Sequence, residues 1–383
     1  RGDDTEPSSH NPSETAQLLS IAFELLNMVE ERVAFRLRGW RRSQFGPAAV
    51  SGLWPRVLDE LTAGGLGEDE VLEALRAARV EPVLTAHPTE AKRPEVREKH
   101  LSVYHKLSDW EASRGDPHRE RRLHDSLRAE LETLWLTGEI YIRRPQVKDE
   151  LSNAIDYLRD VFPEVVSRLD RSLELAWQDC GWSVERLRKE NAYPQIRFAT
   201  WIGGDRDGHP LVTPQVTADT LDQLHDNAIR LHRRWLRACA RELTLAPPFV
   251  TVNPGFQSAI EELAAGLGEG GRRILQRSGH EPWRAWLELL RHKLGCKPAD
   301  GGYLCPADYV DDVVLARETL LAANAGQSAR EWLDPLVRLS GIFGFHLAAL
   351  DVRQNSAAYD EAAAELLVAA EIEDGENFPS WPE

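Results

Sequence analysis

The sequence predicts a mainly helical protein with a few buried parallel strands, which belong to an α/β barrel of the TIM type that carries many extra long helices. Most of the 383 residues fall in segments whose apolar residues recur at helical spacing. Three short apolar segments interrupt these helices, and each is followed by a polar cluster and another helical segment. This order is typical of a barrel whose site lies at the carboxyl ends of its strands.

The helical segments are long and cover most of the chain. We expect residues 1–15 to be a flexible arm, after which apolar residues recur from Leu18 to Leu37 at helical spacing. Pro94 suits the first turn of the next helix, where no N–H is needed. Further helical patterns occupy residues 95–115, 120–140, 153–177, 217–245, 259–277, 283–294, 309–323 and 357–371.

The three apolar segments at residues 82–86, 196–202 and 344–352 are predicted to be buried strands. Three strands cannot close a barrel, which takes about eight, and they would leave unpaired edges. Either further strands escape sequence analysis, or residues not present in this chain complete the barrel. We expect residues 16–383 to form a single helical domain that carries the amino-terminal part of such a barrel.

Composition excludes several classes of protein. The 46 Lys and Arg against 62 Asp and Glu give a net charge of −16, which argues against a nucleic-acid-binding protein. No apolar run is long enough to span a membrane. Four cysteines without a C-x-x-C pair argue against a disulfide scaffold or a zinc site and favour the cytoplasm. The chain starts at Arg1 and its only methionine is Met28, so we expect a processed or excised piece.

The first polar cluster runs from Thr85 to Arg93 and contains His87. A histidine at the end of a strand, beside a proline that stiffens the turn, is well placed for acid–base chemistry. The hydroxyls of Thr85 and Thr89 and the positive charge of Arg93 favour a phosphorylated or carboxylated ligand. Residue chemistry alone leaves open that His87 is an ordinary loop histidine.

The second cluster, from Trp201 to Pro210, combines paired glycines with charged residues. The glycines permit a close backbone approach. Asp205 and Asp207 flank Arg206, where they either order its guanidinium or supply oxygen ligands to Mg²⁺ or Mn²⁺. An Asp–Arg network that only locks a tight loop is the alternative.

The third cluster places Arg353 at the carboxyl end of the last predicted strand. Its fork suits a phosphate or carboxylate, and Asp351 is a candidate to orient it. A structural salt bridge is the alternative.

Together the three clusters resemble the phosphoenolpyruvate carboxylase family. The segment VLTAHPTEAKR is similar to that family's V-L-T-A-H-P-T-E, WIGGDRDGHP to its W-M-G-G-D-R-D-G-N-P, and GFHLAALDVRQNS to its L-D-I-R-Q strand. They occur in the family's order with similar spacing. The resemblance covers nearly all 383 residues, but it corresponds only to the amino-terminal part of a family chain that is more than twice as long.

The resemblance implies a carbon–carbon lyase that fixes carbon dioxide in anaplerotic metabolism. Phosphoenolpyruvate and bicarbonate would give oxaloacetate and phosphate through carboxyphosphate and an enolate, with Mg²⁺ or Mn²⁺ as cofactor. His87 matches the family's catalytic histidine and Arg353 an arginine that contacts the substrate's anionic groups. Arg206 is expected to bind substrate as well, and Thr85, Thr89, Arg93, Asp205 and Asp207 are expected to support the site. The complete protein would be a cytoplasmic homotetramer.

The sequence departs from the family at several points. The family's metal-ligand carboxylates and its second catalytic histidine lie in a carboxyl-terminal part that this chain lacks, so we expect no metal ligands here and no activity from the chain alone. His209 stands where the family usually has asparagine, and Pro94 follows Lys92 and Arg93 where an arginine-rich run ends in threonine. One alternative is a non-catalytic half-enzyme that acts as an anion-binding or regulatory module. Another is an unrelated helical-barrel lyase with metal-binding carboxylates of its own.

Overall fold

The structure is a computed structural model, and it describes residues 11–85, 94–137, 146–207, 211–247 and 249–381. About 74% of the chain is helical, which confirms the mainly helical prediction. The helices are α1 (Pro12–Phe45), α2 (Trp54–Ala63), α3 (Glu68–Ala77), α4 (Pro94–Ala112), α5 (Pro117–Thr137), α6 (Val147–Asp156), α7 (Phe162–Asp179), α8 (Val184–Lys189), α9 (Pro214–Glu242), α10 (Pro254–Gly266), α11 (Gly268–Ser278), α12 (Pro282–Lys293), α13 (Pro306–Ala322), α14 (Gly326–Ser328), α15 (Asp334–Phe343) and α16 (Ser356–Ala369). Within the described residues, no helix combines the length and hydropathy that a membrane span requires.

Proline and a polar cap start several of these helices. Pro12, Pro214 and Pro254 occupy the first turns of α1, α9 and α10, where the missing N–H costs no hydrogen bond. The side chain before each proline accepts a hydrogen bond from a backbone N–H of the first turn; these caps are Asn11, Thr213 and Asn253. Helix α1 therefore begins inside the segment expected to be an arm, whose residues 1–10 lie outside the described residues.

The chain divides into two compact units, a subdivision of the region that we expected to form one domain. The first comprises Arg1–Val71, Ala86–Asn153 and Ser172–Arg186, and the second Leu72–Thr85, Ala154–Arg171 and Leu187–Glu383. In the first unit, Ile21 of α1, Val96 of α4 and Leu134 of α5 form a small buried cluster. The predicted single domain stays a prediction.

The core of the second unit is built around α12. Trp283, Trp286 and their apolar neighbours on this helix are at most 3% exposed, and residues of α9, α10, α11 and α13 pack around them. Trp286 donates its indole N–H to the carbonyl oxygen of Asp312 at 2.9 Å, so that the polar edge of the ring is satisfied inside the core. A helix that is apolar on most of its faces is buried on most of them.

Among the described residues of the second unit are five short strands, which all pair in parallel. They are β1 (Arg79–Val80), β2 (Val83–Leu84), β3 (Gln195–Ile196), β4 (Ala199–Thr200) and β5 (Ala349–Leu350). One sheet pairs β1 with β3 and the other has the order β2-β4-β5. Pro82 lies between β1 and β2 and has no N–H to donate. The three predicted strands are confirmed as β2, β4 and β5, although each is only two residues long. Sequence analysis missed β1, and it did not separate β3 from β4, since the predicted segment 196–202 begins within β3.

The described residues contain no closed barrel, so the barrel prediction is not confirmed. The predicted strand at 344–352 is longer than β5, because Gly344 and Leu347 both have positive φ and form a turn before it.

Helix α9 holds the turn that leads into β5. The Nε2 of His232 lies 2.6 Å from the carbonyl oxygen of Gly344, and the Nδ1 of His225 lies 2.9 Å from that of Phe345. Because a carbonyl oxygen only accepts, each ring nitrogen must donate. Burial lowers the pKa of His232 to about 4, so the ring is neutral at pH 7.

This histidine predicts a loss of stability in mild acid. The unfolded chain protonates His232 near its ordinary pKa of about 6.5, whereas the folded chain resists protonation until about 4. The unfolded state therefore binds more protons between these values, and the free energy of unfolding should fall by about 3 kcal/mol as the pH drops through that window. Urea unfolding at pH 7.5, 6, 5 and 4 measures it.

The matched variants are His232→Gln and His118→Gln. The first removes the titrating group and should flatten the pH dependence between 6.5 and 4. The second changes an exposed histidine on α5 and should leave the dependence as in the unmodified chain. An identical pH dependence in His232→Gln would show that other groups cause the acid sensitivity.

Candidate functional site

The polar clusters predicted from sequence follow strands that lie side by side. Thr85 follows β2, Trp201 follows β4 and Asp351 follows β5, and these three strands are neighbours in one parallel sheet. Carboxyl ends of parallel strands meet at the same edge of a sheet. His87, Thr89 and Arg93 lie outside the described residues, so the structure places only the strand that precedes them.

The second and third clusters are joined by their backbones. The N–H of Arg206 donates to the carbonyl oxygen of Arg353 at 2.8 Å, and the N–H of Arg353 donates to that of Gly204 at 3.0 Å. These two bonds make a parallel bridge between Asp205 and Arg353 beyond the ends of β4 and β5. The positions of Asp205 and Arg353 are thus fixed relative to each other by main-chain bonds.

Two glycines permit this close approach. Gly203 has φ +84°, and a Cβ there would lie 2.1 Å from the hydroxyl oxygen of Thr220. A Cβ on Gly204 would lie 2.3 Å from the carbonyl oxygen of Asp351. Both distances are far below van der Waals contact, so the turn requires glycine at both positions.

The Arg353 side chain lies against Trp201 and beside Asp205. Its guanidinium carbon is 4.2 Å from the centre of a Trp201 ring, which is a cation–π contact. Its Nη1 lies 3.8 Å from Oδ2 of Asp205, and 47% of the side chain is exposed. The carboxylate beside Arg353 is therefore that of Asp205 and not of Asp351, and the planar guanidinium keeps donors that face solvent.

Arg206 has a different environment. Its Nη2 donates to the hydroxyl oxygen of Thr217 at 3.1 Å, and that hydroxyl donates to the carbonyl oxygen of Gly203 at 2.8 Å. Its Nε is buried and has no partner among the described residues. Through Thr217, these contacts fix the loop that contains Gly203 and Arg206 against α9. Substrate binding by Arg206 stays a prediction.

The two aspartates of the second cluster are joined by a hydrogen bond. Oδ1 of Asp205 accepts a hydrogen bond from the N–H of Asp207 at 3.1 Å, which closes a local turn. Both side chains of this pair were candidate metal ligands. Among the described residues, no group of three or more His, Cys, Asp or Glu side chains is arranged to hold a metal ion. Asp205 and Asp207 therefore do not form a complete metal site with the other described residues.

Sequence analysis missed the residues that support this turn from α9. Thr217 and Thr220 hold Gly203 and Arg206 from the first two turns of the helix. No local pattern reveals this, since threonine also occurs in helices without such contacts. Sequence analysis also did not identify Trp201, which lies within the predicted strand 196–202, as the ring that contacts Arg353.

Comparison with known proteins gives one family. A family model described as Phosphoenolpyruvate carboxylase matches residues 8–383. Relatives with that name include proteins from Methylorubrum extorquens, 29% identical over 364 residues, from Rhodopseudomonas palustris, 30% identical over 368 residues, and from Xanthomonas oryzae pv. oryzae, 33% identical over 355 residues.

These alignments cover most of this chain but a minor part of each relative. They include 91% of this chain and 38% of the Methylorubrum protein, 93% and 37% for the Rhodopseudomonas protein, and 91% and 38% for the Xanthomonas protein. The chain therefore spans less than half the length of the relatives that it matches.

Proposed function

The chain belongs to the phosphoenolpyruvate carboxylase family, and on that basis we propose that it forms part of an enzyme that carboxylates phosphoenolpyruvate with bicarbonate. The products are oxaloacetate and phosphate. The observation that carries this proposal is Arg353, which sits at the carboxyl end of β5 with its guanidinium against Trp201 and its position set by bonds to the Gly204 turn. A half-exposed, oriented arginine suits a phosphate or carboxylate ligand.

The reaction needs a cation for the substrate and a group that moves a proton. An oxygen of bicarbonate attacks the phosphoryl group, the bond from phosphorus to the enol oxygen breaks, and carboxyphosphate and an enolate result. We propose that His87 accepts the proton of carboxyphosphate as carboxyphosphate splits into carbon dioxide and phosphate. The enolate carbon then attacks carbon dioxide. Arg353 holds the anionic groups of phosphoenolpyruvate through charge-assisted hydrogen bonds throughout the reaction.

The supporting residues act through the turn. Asp205 lies beside the Arg353 guanidinium, and Asp207 closes the turn around Asp205. Thr85 directly follows β2, and the supporting roles of Thr89 and Arg93 rest on the family resemblance. Substrate contact by Arg206 would use the part of its half-buried side chain that does not bond to Thr217.

Magnesium or manganese is the proposed cofactor. The described residues do not supply a set of ligands for it, and the Asp205 carboxylate is engaged with Asp207 and Arg353. We therefore assign the metal ligands to other parts of the complete protein. No step above depends on a metal contact from the residues described.

The parallel strands support a barrel in the complete protein. Helical segments connect the parallel strands of the β2-β4-β5 sheet, as in α/β folds. We assign it to an α/β barrel that further strands complete. We also propose that the complete protein is a cytoplasmic homotetramer, which the family resemblance supports.

The first test is an oxaloacetate assay with two samples. The natural protein from its source, supplied with phosphoenolpyruvate, bicarbonate and Mg²⁺ or Mn²⁺, should form oxaloacetate, and chelation of the metal by EDTA should stop the reaction. The 383-residue chain alone should form none, since it spans about 38% of its relatives' length. The intact mass of the natural protein identifies which polypeptide is assayed.

Either sample can contradict the proposal. A natural protein without turnover would favour the non-catalytic, anion-binding alternative. Turnover by the 383-residue chain would show that its own residues complete the site and the metal ligands.

A further inference from the structure

Five arginines line one cavity in the second unit. The cavity has a volume of about 380 Å³ and lies where α9, α11 and α12 meet. Its lining residues are Arg237, Ala240 and Arg241 of α9, Arg277 of α11, and Arg284, Glu288 and Arg291 of α12. Five cations face one carboxylate, in a chain whose net charge is −16.

Helical spacing brings these charges together. Arg237 and Arg241 are four residues apart on α9 and so share a face. Arg284, Glu288 and Arg291 recur at i, i+4 and i+7 on α12, whose other faces carry the buried tryptophans and leucines of the core. The polar stripe of an otherwise buried helix therefore faces this cavity.

Part of the positive charge is compensated inside the cavity. Glu288 is 8% exposed and accepts hydrogen bonds from Arg277 and Arg284. Arg284 also donates to Glu281 at 2.7 Å. The carboxylates of Glu281 and Glu288 therefore bond to two of the five arginines, Arg277 and Arg284.

The other three arginines have no such partner. Across the described part of the chain, Arg237, Arg241 and Arg291 make no side-chain hydrogen bond or ion pair. Burial lowers the pKa of Arg291, attraction by Glu288 opposes this shift, and repulsion by neighbouring arginines such as Arg237 adds to it. Like charges four residues apart also destabilise a helix slightly. An anion in the cavity would relieve this repulsion.

We propose that this arginine cavity binds a small anion that carries at least two negative charges on phosphoryl or carboxyl groups. Three guanidinium groups that have no hydrogen-bonded carboxylate match such a ligand, because each planar fork can donate two parallel hydrogen bonds to a phosphate or carboxylate. The volume is within the range of small-molecule sites. The residues of this cavity are separate from those of the β2-β4-β5 edge, so the proposal does not depend on the proposed function.

The test is calorimetric titration of the 383-residue chain with pyrophosphate and, separately, with citrate at constant ionic strength. We expect saturable binding of one ion per chain. The double variant R237Q/R241Q should bind about ten- to a hundredfold more weakly. The charge-matched control R38Q/R41Q removes two exposed arginines of α1, in the other unit, and should bind as the unmodified chain does.

A further variant separates charge from geometry. R237K/R241K keeps both charges but loses the planar forks, so it should bind with intermediate affinity. Binding of pyrophosphate but not citrate would assign the cavity to phosphoryl groups, and the reverse to carboxylates. Absence of saturable binding by either ion, or an equal loss in R237Q/R241Q and R38Q/R41Q, would overturn the proposal. Thermal unfolding of each variant checks that it is folded.

Discussion

Replacement of Gly204 by alanine should destabilise the second unit by about 3 kcal/mol. The new Cβ would lie 2.3 Å from the carbonyl oxygen of Asp351, which is backbone and cannot rotate away as a side chain can. Relief requires the turn and the end of β5 to separate. That movement would break the two backbone bonds that Gly204 and Arg206 make with Arg353. Urea unfolding at pH 7.5 measures the change.

The matched control is Gly341→Ala on α15. A Cβ there meets no heavy atom within 4 Å, and alanine in a helix is better than glycine by roughly 0.5–1 kcal/mol. The same substitution should thus have opposite signs at the two positions. If Gly204→Ala were as stable as the unmodified chain, the backbone of Gly204 would not lie as close to the carbonyl oxygen of Asp351 as described.

Replacement of Arg353 by glutamine should lower kcat/KM for phosphoenolpyruvate in the complete natural protein by roughly a hundredfold. Glutamine removes the positive charge and the contact with the Trp201 ring, which lies 4.2 Å from the guanidinium carbon. Most of the loss should fall on KM, because the arginine binds the substrate's anionic groups throughout the reaction. Steady-state kinetics with varied phosphoenolpyruvate measures both constants.

Two other variants test the assignment of roles. Arg353→Lys keeps the charge but not the planar fork, so it should recover only part of the activity. His87→Ala should lower kcat by about 10²–10⁴-fold with a smaller change in KM, as expected of an acid–base group. Wild-type kinetics in Arg353→Gln would place the substrate away from β5.

Sequence patterns predicted helices better than buried faces. The spacing from Leu18 to Leu37 indicates a helix, and α1 is one, but Leu18 and Val33 are about half exposed. The buried positions are Ile21 and Met28, with Leu25 partly buried. Helix α1 carries apolar residues around much of its circumference, so their period predicts the helix but does not identify which side packs.

For the candidate site, the sequence predicted the order of strands and polar clusters. It did not predict that Asp205 and not Asp351 lies beside Arg353, because this depends on the turn that shifts one strand against its neighbour. Contacts from α9 to the turn join residues more than ten positions apart, such as Gly203 and Thr217. Local patterns carry no information on such pairs.

The registers of the paired strands bear on how the sequence can change in length during evolution. Val83 pairs with Ala199 and Arg79 with Gln195, so no residue is gained or lost between the two sheets. Beyond β4 the pairing of Asp205 with Arg353 accommodates two extra residues in the glycine turn. An insertion in that turn would displace Arg353 from the Trp201 ring. An insertion in a helical connection would leave the strand pairing unchanged. Natural variation in length should therefore accumulate in the connections between strands and be absent from residues 201–205.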